Sequence, residues 1–431
     1  MRACRELGIE SVAVYVPEDR EALFVKYADM AVPLAGETIH DTYLSVDALV
    51  DAARGTRCQA VHPGYGFLSE NPEFAAAVEA QGMAFIGPPA SVMNRIADKG
   101  RLVRDMAAAG VPVAPSMAFT GDMAAVSAFA REAGYPLLVK PAFGGGGKGM
   151  KVVRSEEELA AGISFAQRIS QSAFGNSALY VEKCITEPQH IEVQVLAGAT
   201  GHILVLGERD CSVQRRHQKL IEESPSPALK REARARLHAM ALDAAQRIGY
   251  VGAGTVEFLH QNGAFYFLEV NARIQVEHPV TEMATGLDLI KEQIRVAAGA
   301  STPETVSPRG HAIECRINAE DPMNNFFPSP GTITEWKQAG GPFVRVDSGV
   351  ECGSVVSSSF DSLLAKVIVW GRDRVEALAR MRRALDEFHV QGVATTLPAM
   401  RAVLNDDLFI QGRAHAFYMD TRLKHLLANN S

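Results

Sequence analysis

Residues 265–282 read FYFLEVNARIQVEHPVTE. Phe265 to Leu268 form an apolar, aromatic run typical of a buried strand. The stretch then turns polar, with Glu269, Asn271, Arg273, Gln275 and Glu277 at alternate positions. In an extended chain alternate side chains share a face. Two carboxylates and an amide so arranged suit a hard cation such as Mg²⁺, which takes oxygen ligands and substrate phosphates together. Arg273 adds a planar donor fork for an oxyanion, and Glu277 offers a base. The alternative is a surface strand edge carrying solvated charges. Acids, an amide and an arginine crowded against so apolar a strand argue against it.

Working back toward the start of that strand, Glu257 sits inside Gly254-Thr255-Val256-Glu257-Phe258-Leu259, where an unpaired carboxylate would be costly. The turn Gln261-Asn262-Gly263 predicts a hairpin that brings Glu257 beside Glu269. Adjacent carboxylates repel, and a divalent cation between them resolves the conflict.

Further upstream, YPLLVKPAFGGGGKGMK (135–151) delivers Lys140 from a short strand into four consecutive glycines, Gly144 to Gly147. The glycines formally match a dinucleotide fingerprint, but that motif opens into a helix and this one opens into a strand. It reads as a flap able to lay backbone N–H groups on phosphates, or as an ordinary glycine hairpin. Downstream of it, HIEVQVLA (190–197) alternates Ile191, Val193 and Val195 against Glu192 and Gln194. GERDCSVQRRHQKLIEESPSP follows, concentrating Gln214, Arg215, Arg216, His217 and Lys219 near Glu222 and Glu223. It reads either as a solvated basic turn or as an anion site.

The first segment alternates strands (Ser11–Val16, Cys58–Val61, Ala84–Ile86) with helices (Leu44–Arg54, Glu73–Gln81), the rhythm of a parallel, Rossmann-like sheet. Within it HPGYGFLSENPEF (62–74) puts Gly64 and Gly66 around Tyr65 just past a strand. It is either a ligand loop at a sheet switch point or a tight turn before a capped helix. Lys99 lies in a helix-rich linker. In the last third, HAIECRINAED (311–321) carries Glu314, Arg316 and Asn318 on one face, and the remainder reads as a mixed domain packed on the middle one.

A chain of 431 residues exceeds one hydrophobic core and predicts two or three domains. A net charge of -7 points away from nucleic acid as the main partner. No apolar run is long enough to cross a bilayer, and the charged start is not a signal peptide. Six scattered cysteines without a CxxC pair predict neither zinc nor a disulfide framework, and a cytoplasmic setting.

These motifs together, in this order, resemble the ATP-grasp superfamily and, within it, biotin carboxylase. HPGYGFLSEN, GGGGKGM, ERDCSVQRRHQK, NARIQVEHPVTE and ECRINAEDP carry the resemblance across nearly the whole chain. It implies a multidomain α/β and α+β fold: a Rossmann-like N-terminal domain (1–95), an ATP-grasp domain (96–307) with a glycine-rich flap subdomain at about 114–185, and a mixed C-terminal domain (308–431). It also implies roles. Lys99, Lys140, Gly146, Gly147 and His217 hold ATP phosphates. Glu182, Lys183 and Ile185 receive adenine, with Leu259 in the same pocket and His190 and Gln214 on the ribose side. Glu257, Glu269 and Asn271 ligate Mg²⁺ or Mn²⁺, expected as two ions. Lys219, Arg273, Gln275 and Val276 seat bicarbonate and Glu277 deprotonates it. Arg316 stabilises the biotin enolate, and Tyr65 with Gly66 lines the biotin pocket.

The expected partners are a biotin carboxyl carrier protein or domain, a carboxyltransferase and a second copy of the chain, with Arg2, Glu6 and Arg345 near the dimer interface. ESPSP, SSSFDSLLAK and VQGVATTLP look most like the carboxylase chain of acetyl- or propionyl-CoA carboxylases. Members of the family begin with a strand before the helix in which this sequence opens, so the first sheet is expected to be open there. Two other readings remain: a different ATP-grasp ligase, and a non-catalytic scaffold that binds nucleotide.

Overall fold

The computed structural model describes residues 1–142 and 149–428. Gly146 and Gly147 of the flap therefore lie outside the described residues.

The N-terminal segment holds four short strands, β1 (Val12–Tyr15), β2 (Met30–Pro33), β3 (Ala60–Val61) and β4 (Ala84–Phe85). β1 pairs with β2 and β3 with β4, both parallel, in two separate two-stranded sheets. Among the described residues no strand joins β1 to β3. The loop after β3 turns at Gly64 (φ +66°) and Gly66 (φ +76°), a backbone region that a Cβ disfavours. It then enters the helix Pro72–Ala80, which Asn71 caps by accepting from Phe74 N at 2.9 Å.

A four-stranded antiparallel sheet follows, in the order β5 (Ser116–Phe119), β8 (Leu179–Lys183), β6 (Leu137–Pro141), β7 (Lys151–Val153). Leu137, Val139, Val153 and Val181, all fully buried, pack it against helices Met123–Ala133 and Glu156–Phe174.

The main sheet has eight strands. From one edge they run β13 (Ala264–Asn271), β12 (Gly252–Gln261), β9 (Gln189–Ala197), β10 (Ile203–Arg215), β11 (Gln218–Ser224) and β14 (His311–Asn318), then Leu363–Gly371 and Val344–Ser348. The last third of the chain is therefore more than a unit packed on the middle one. It continues the same sheet, because β14 ladders onto β11 with Glu222 opposite Glu314 and Ile221 opposite Cys315. Alternation within residues 311–318 could not reveal which strand lay next to it. One apolar cluster joins β9, β12 and β13 to the N-terminal helices, and another joins β14 and Leu363–Gly371 to helices Arg374–Glu387 and Leu397–Leu404. With both faces covered, every residue of β14 is buried.

Candidate active site

The hairpin predicted from the Asn262-Gly263 turn forms, with both residues at positive φ. A bulge beyond the Phe258–Phe267 pair shifts the register by one residue and sets Glu257 directly opposite Glu269, so both carboxylates leave the sheet on one face. The chain stays extended only as far as Asn271. It then bends, and Glu277 becomes the residue before the helix His278–Thr285, with Pro279 in the first turn. Arg273, Gln275 and Glu277 thus do not continue one strand face as the alternation implied. They reach the same region by wrapping under it.

Lys219 is the centre of that region. It projects from β11, and its Nζ lies 2.5 Å from Glu192 Oε2, 2.6 Å from Glu277 Oε1 and 3.1 Å from Glu257 Oε1. Asn271 Nδ2 and Gln275 Nε2 donate to the same Glu257 oxygen at 2.8 and 2.9 Å, and His190 Nε2 stands 2.9 Å from the other. Arg316 of β14 approaches from the far side. Its Nη2 donates to Glu277 Oε2 at 3.0 Å and its Nε to Glu222 Oε1 at 2.7 Å. Burial alone would raise the Glu277 carboxyl. Lys219, then Arg316 and Arg209, outweigh it and hold that carboxyl well below the usual range. The Lys219 ammonium is held well above its ordinary value by Glu192, Glu257 and Glu277 against its own desolvation.

The nucleotide-side candidates form a second group. Lys99, at the start of helix Lys99–Ala108, pairs with Glu269, and Lys140 of β6 pairs with Glu182 of β8. Burial would lower Lys140, but Glu182 and Tyr180 raise it. Gln214 Nε2 lies 3.4 Å from His190 Nδ1, and Leu259 is the cross-strand partner of His190. Ile185 is buried just past β8. Lys183 turns its Nζ onto the carbonyls of Gly134 and Tyr135, both at 3.0 Å, so its side chain serves the sheet. His217 is exposed in the two-residue turn between β10 and β11, at φ +67°, in the field of Lys140. The basic run 207–219 is thus mostly strand, with a turn confined to Arg216 and His217.

Tyr65 stays 42% exposed and faces the Arg316 guanidinium and Glu314. Val276 contributes its carbonyl, which accepts from Lys366 Nζ at 2.7 Å. Arg273 Nη2 donates to Asn271 Oδ1 at 3.3 Å, and its Nε lies 3.3 Å from Glu70 Oε2.

Three residues of the site were not anticipated. Arg209 is fully buried and its donors are spread over five acceptors: Glu192 Oε1 (2.5 Å), Gln194 Oε1 (2.6 Å), Gln275 Oε1 (2.9 Å), Thr281 Oγ1 (3.0 Å) and Thr255 Oγ1 (3.2 Å). Holding Gln275 Oε1 turns that amide's Nε2 toward Glu257. Glu192 links Arg209 to Lys219. Glu70, from the helix-capping loop, accepts from Ala272 N at 3.1 Å as well as facing Arg273.

The described residues also bring His190, Glu192 and Glu257, and separately Glu192, Cys211 and Glu277, to metal-ligand spacing. Lys219 already fills the space between those carboxylates.

Three known families match successive parts of the chain. Residues 1–93 match the family described as biotin carboxylase, N-terminal domain; residues 98–305 match the carbamoyl-phosphate synthase L chain, ATP binding domain; residues 314–421 match the biotin carboxylase C-terminal domain. Biotin carboxylase 1 of Bacillus subtilis is 48% identical over 427 residues, covering 98% of this chain and 95% of that protein. The chain belongs to the biotin carboxylase family. A pyruvate carboxylase subunit from Methanothermobacter thermautotrophicus is also 48% identical, over 97% of this chain and 86% of its own length. Among solved biotin carboxylases, a βγ-ATP complex from Campylobacter jejuni superposes with a TM-score of 0.94 at 42% identity, covering 97% of this chain and 95% of that one. The biotin carboxylase domain dimer of Hydrogenobacter thermophilus 2-oxoglutarate carboxylase, in complex with MgADP, ADP and bicarbonate, gives 0.95 at 43% identity, over 99% and 95%. No helix among the described residues is long and apolar enough to cross a membrane.

Proposed function

We propose that this chain carboxylates the biotin of a carrier protein with bicarbonate at the cost of ATP, through carboxyphosphate. The observation that carries the reading is the bracketing of Glu277 by Lys219 and Arg316, beside the opposed pair Glu257 and Glu269.

Bicarbonate attacks phosphorus poorly until it loses its proton, so a base must sit at its hydroxyl. Glu277 is ionised and positioned for that, but Lys219, Arg316 and Arg209 hold its proton affinity low. Bicarbonate seated against Lys219, Arg273, Gln275 and the Val276 backbone draws Lys219 away from Glu277. The carboxylate then regains basicity when substrate arrives. The bicarbonate oxygen attacks the γ-phosphorus, ADP leaves, and Lys99 and Lys140 stabilise the phosphate charge. Carboxyphosphate falls to CO₂ and phosphate, so water must be kept out. The phosphate takes the ureido proton of biotin, Arg316 stabilises the enolate, and the enolate nitrogen attacks CO₂. Tyr65 and Gly66 flank that pocket. Glu182, Ile185, His190, Gln214, His217 and Leu259 serve the nucleotide, together with Gly146 and Gly147, and Lys183 does so through its backbone.

The donor set suits Mg²⁺ or Mn²⁺: the opposed carboxylates Glu257 and Glu269 and the amide oxygen of Asn271 are hard oxygens, and in this chain they borrow Lys219 and Lys99 as counter-charges. When bound, two such ions neutralise charge on the ATP phosphates.

We place the domain boundaries at residues 95 and 307, and the partners in a biotin carrier and a carboxyltransferase. The final acceptor then belongs to the carboxyltransferase, and an acyl-CoA is the acceptor we favour. A protein named for acyl-coenzyme A carboxylation in Mycobacterium leprae is 47% identical over 100% of this chain. For a homodimer, Arg345 and Glu6 are interface candidates; within one chain they pair with Glu282 and Asp347, and with Lys291. Cysteines without disulfides fit a reducing cytoplasm. The test is ADP release from the full chain with Mg²⁺. It should require bicarbonate and accelerate with free biotin; release indifferent to bicarbonate would sink the reading.

A further inference from the structure

Glu222 of β11 and Glu314 of β14 are cross-strand partners, and both are completely buried. Opposed side chains of an antiparallel pair leave on one face, about 5 Å apart at Cβ. Of their oxygens only Glu222 Oε1 has a partner among the described residues. It takes Arg316 Nε at 2.7 Å and Nη2 at 2.5 Å. Among the described residues none donates to Glu222 Oε2 or to either oxygen of Glu314.

The cations around the pair are already engaged. Arg316 also serves Glu277. Lys366, on the next strand, donates to the Val276 carbonyl at 2.7 Å and faces Asp347 at 3.9 Å. Lys219 holds Glu192, Glu257 and Glu277. The helix His278–Thr285 packs over these strands and brings no free charge. His278 is kept neutral by burial and by Lys366, and Glu282 pairs with Arg345. Cys211 and Cys315 nearby are thiols raised by burial. Tyr65, on the open side, is neutral at ordinary pH, its hydroxyl raised by burial. Two ionised carboxylates set side by side would repel one another, with three of their four oxygens lacking a donor among the described residues.

We propose that Glu222 and Glu314 share one proton beneath Arg316 and act as positioning residues for it, the pair presenting a single negative charge that anchors the guanidinium's inner edge. The shared proton supplies the missing donor. Burial pushes Glu222 up to about 7, against the pull of Arg316, and lifts Glu314 well above the ordinary carboxylate range. Anchored in this way, Arg316 is divided between Glu222 and Glu277 with its remaining edge open toward Tyr65. If the pair lost its proton, the second charge would draw Arg316 inward, away from Glu277 and from the enolate. The role rests on the biotin carboxylase reading; the protonation itself does not.

The test uses the full chain with Glu314→Gln, which imitates the protonated acid, and Glu222→Gln. Infrared difference spectra at neutral pH should show a protonated-carboxyl carbonyl band in the parent that Glu314→Gln removes. In biotin-dependent turnover, Glu314→Gln should extend the alkaline limb, since it has no proton to lose. Glu222→Gln should cut turnover about tenfold across the profile, as expected for loss of one hydrogen bond to a charged group. Absence of the band, or an unmoved alkaline limb with Glu314→Gln, overturns the proposal. Should the parent chain show no bicarbonate-dependent ADP release, the functional reading fails while the band still decides whether the proton is shared.

Discussion

Arg316 and Glu277 meet across the boundary between two parts of the chain: Nη2 of the arginine, on β14, donates at 3.0 Å to Oε2 of the carboxylate that leads into helix His278–Thr285. The contact joins the group assigned to bicarbonate's proton to the group assigned to biotin's enolate. Under the proposed roles the two half-steps are electrostatically linked, since whatever discharges Glu277 frees Arg316.

Replacing Arg316 with alanine should separate those half-steps. Biotin-dependent turnover should fall by about 10²-fold or more, the scale of losing one electrostatic stabiliser of a developing anion. Bicarbonate-dependent ADP release without biotin should fall less. Steady-state assays with and without free biotin check the split. Equal losses in both would place Arg316 in the ATP step instead.

Lys219→Met tests the bracket from the other side. Lys219 is the strongest of the groups that lower Glu277. Its removal lets burial push that carboxyl upward, so the acid limb of the rate profile should move to higher pH. The stability consequence has a definite sign. A carboxyl whose folded value is depressed stabilises the fold above its unfolded value of about 4.3 and loses that contribution as pH falls. Lys219→Met should therefore lower stability most at neutral pH, by about 3–5 kcal/mol for a broken buried pair, and least near pH 3. Urea midpoints across that range measure it.

Much of this site is legible without coordinates. The Asn262-Gly263 turn is enough to predict the hairpin, but its register alone would set Glu257 opposite Leu268; the bulge that shifts the pairing by one residue and opposes Glu257 to Glu269 carries no signal in the turn. Arg316 follows from its motif. Glu192 and Gln194 read as the polar face of a half-exposed strand, yet both are fully buried. Arg209 and Glu222 are lost within one charged run. The signal is present: charged residues recurring inside strands that also carry Val, Leu and Ile on the other face. What alternation lacks is the identity of the neighbouring strands. Burial on both faces follows from the layers that cover the sheet, and the strands that flank β9 to β11, β12 beside β9 and β14 beside β11, come from far along the sequence.

Arg209→Lys should expose how much the site depends on that hidden residue. Lysine keeps the charge but offers three donors where the guanidinium offers five. Some of the five buried acceptors would lose their donor, at about 1–3 kcal/mol each. Freed from Arg209, the Gln275 amide can rotate. The KM for bicarbonate should rise several-fold while that for ATP changes little. Denaturant titration with substrate-dependence curves would show both effects; an ATP KM that rises in parallel would contradict the Gln275 argument.

Asp210 lies away from the chemistry and makes the last test one of stability alone. It is buried in β10 with Glu223 nearby, and accepts from Ser212 N and Oγ and from Ser226 Oγ. Burial, then Glu223, pushes its carboxyl up to about 6, more than those hydrogen bonds can offset. Between its unfolded value near 3.8 and about 6 the native chain binds more protons than the unfolded one. Stability attributable to this group therefore falls as pH rises through that window and stays low above it. Asp210→Asn removes the charge and keeps an oxygen for Ser212 and a donor for Ser226. Each tenfold change in proton affinity is worth about 1.4 kcal/mol, so at pH 8 the variant should be more stable than the parent by about 3 kcal/mol. At pH 4 the difference should vanish. Paired urea unfolding curves at the two pH values decide it: a gain of equal size at both would mean that packing, not the proton, limits stability at this position.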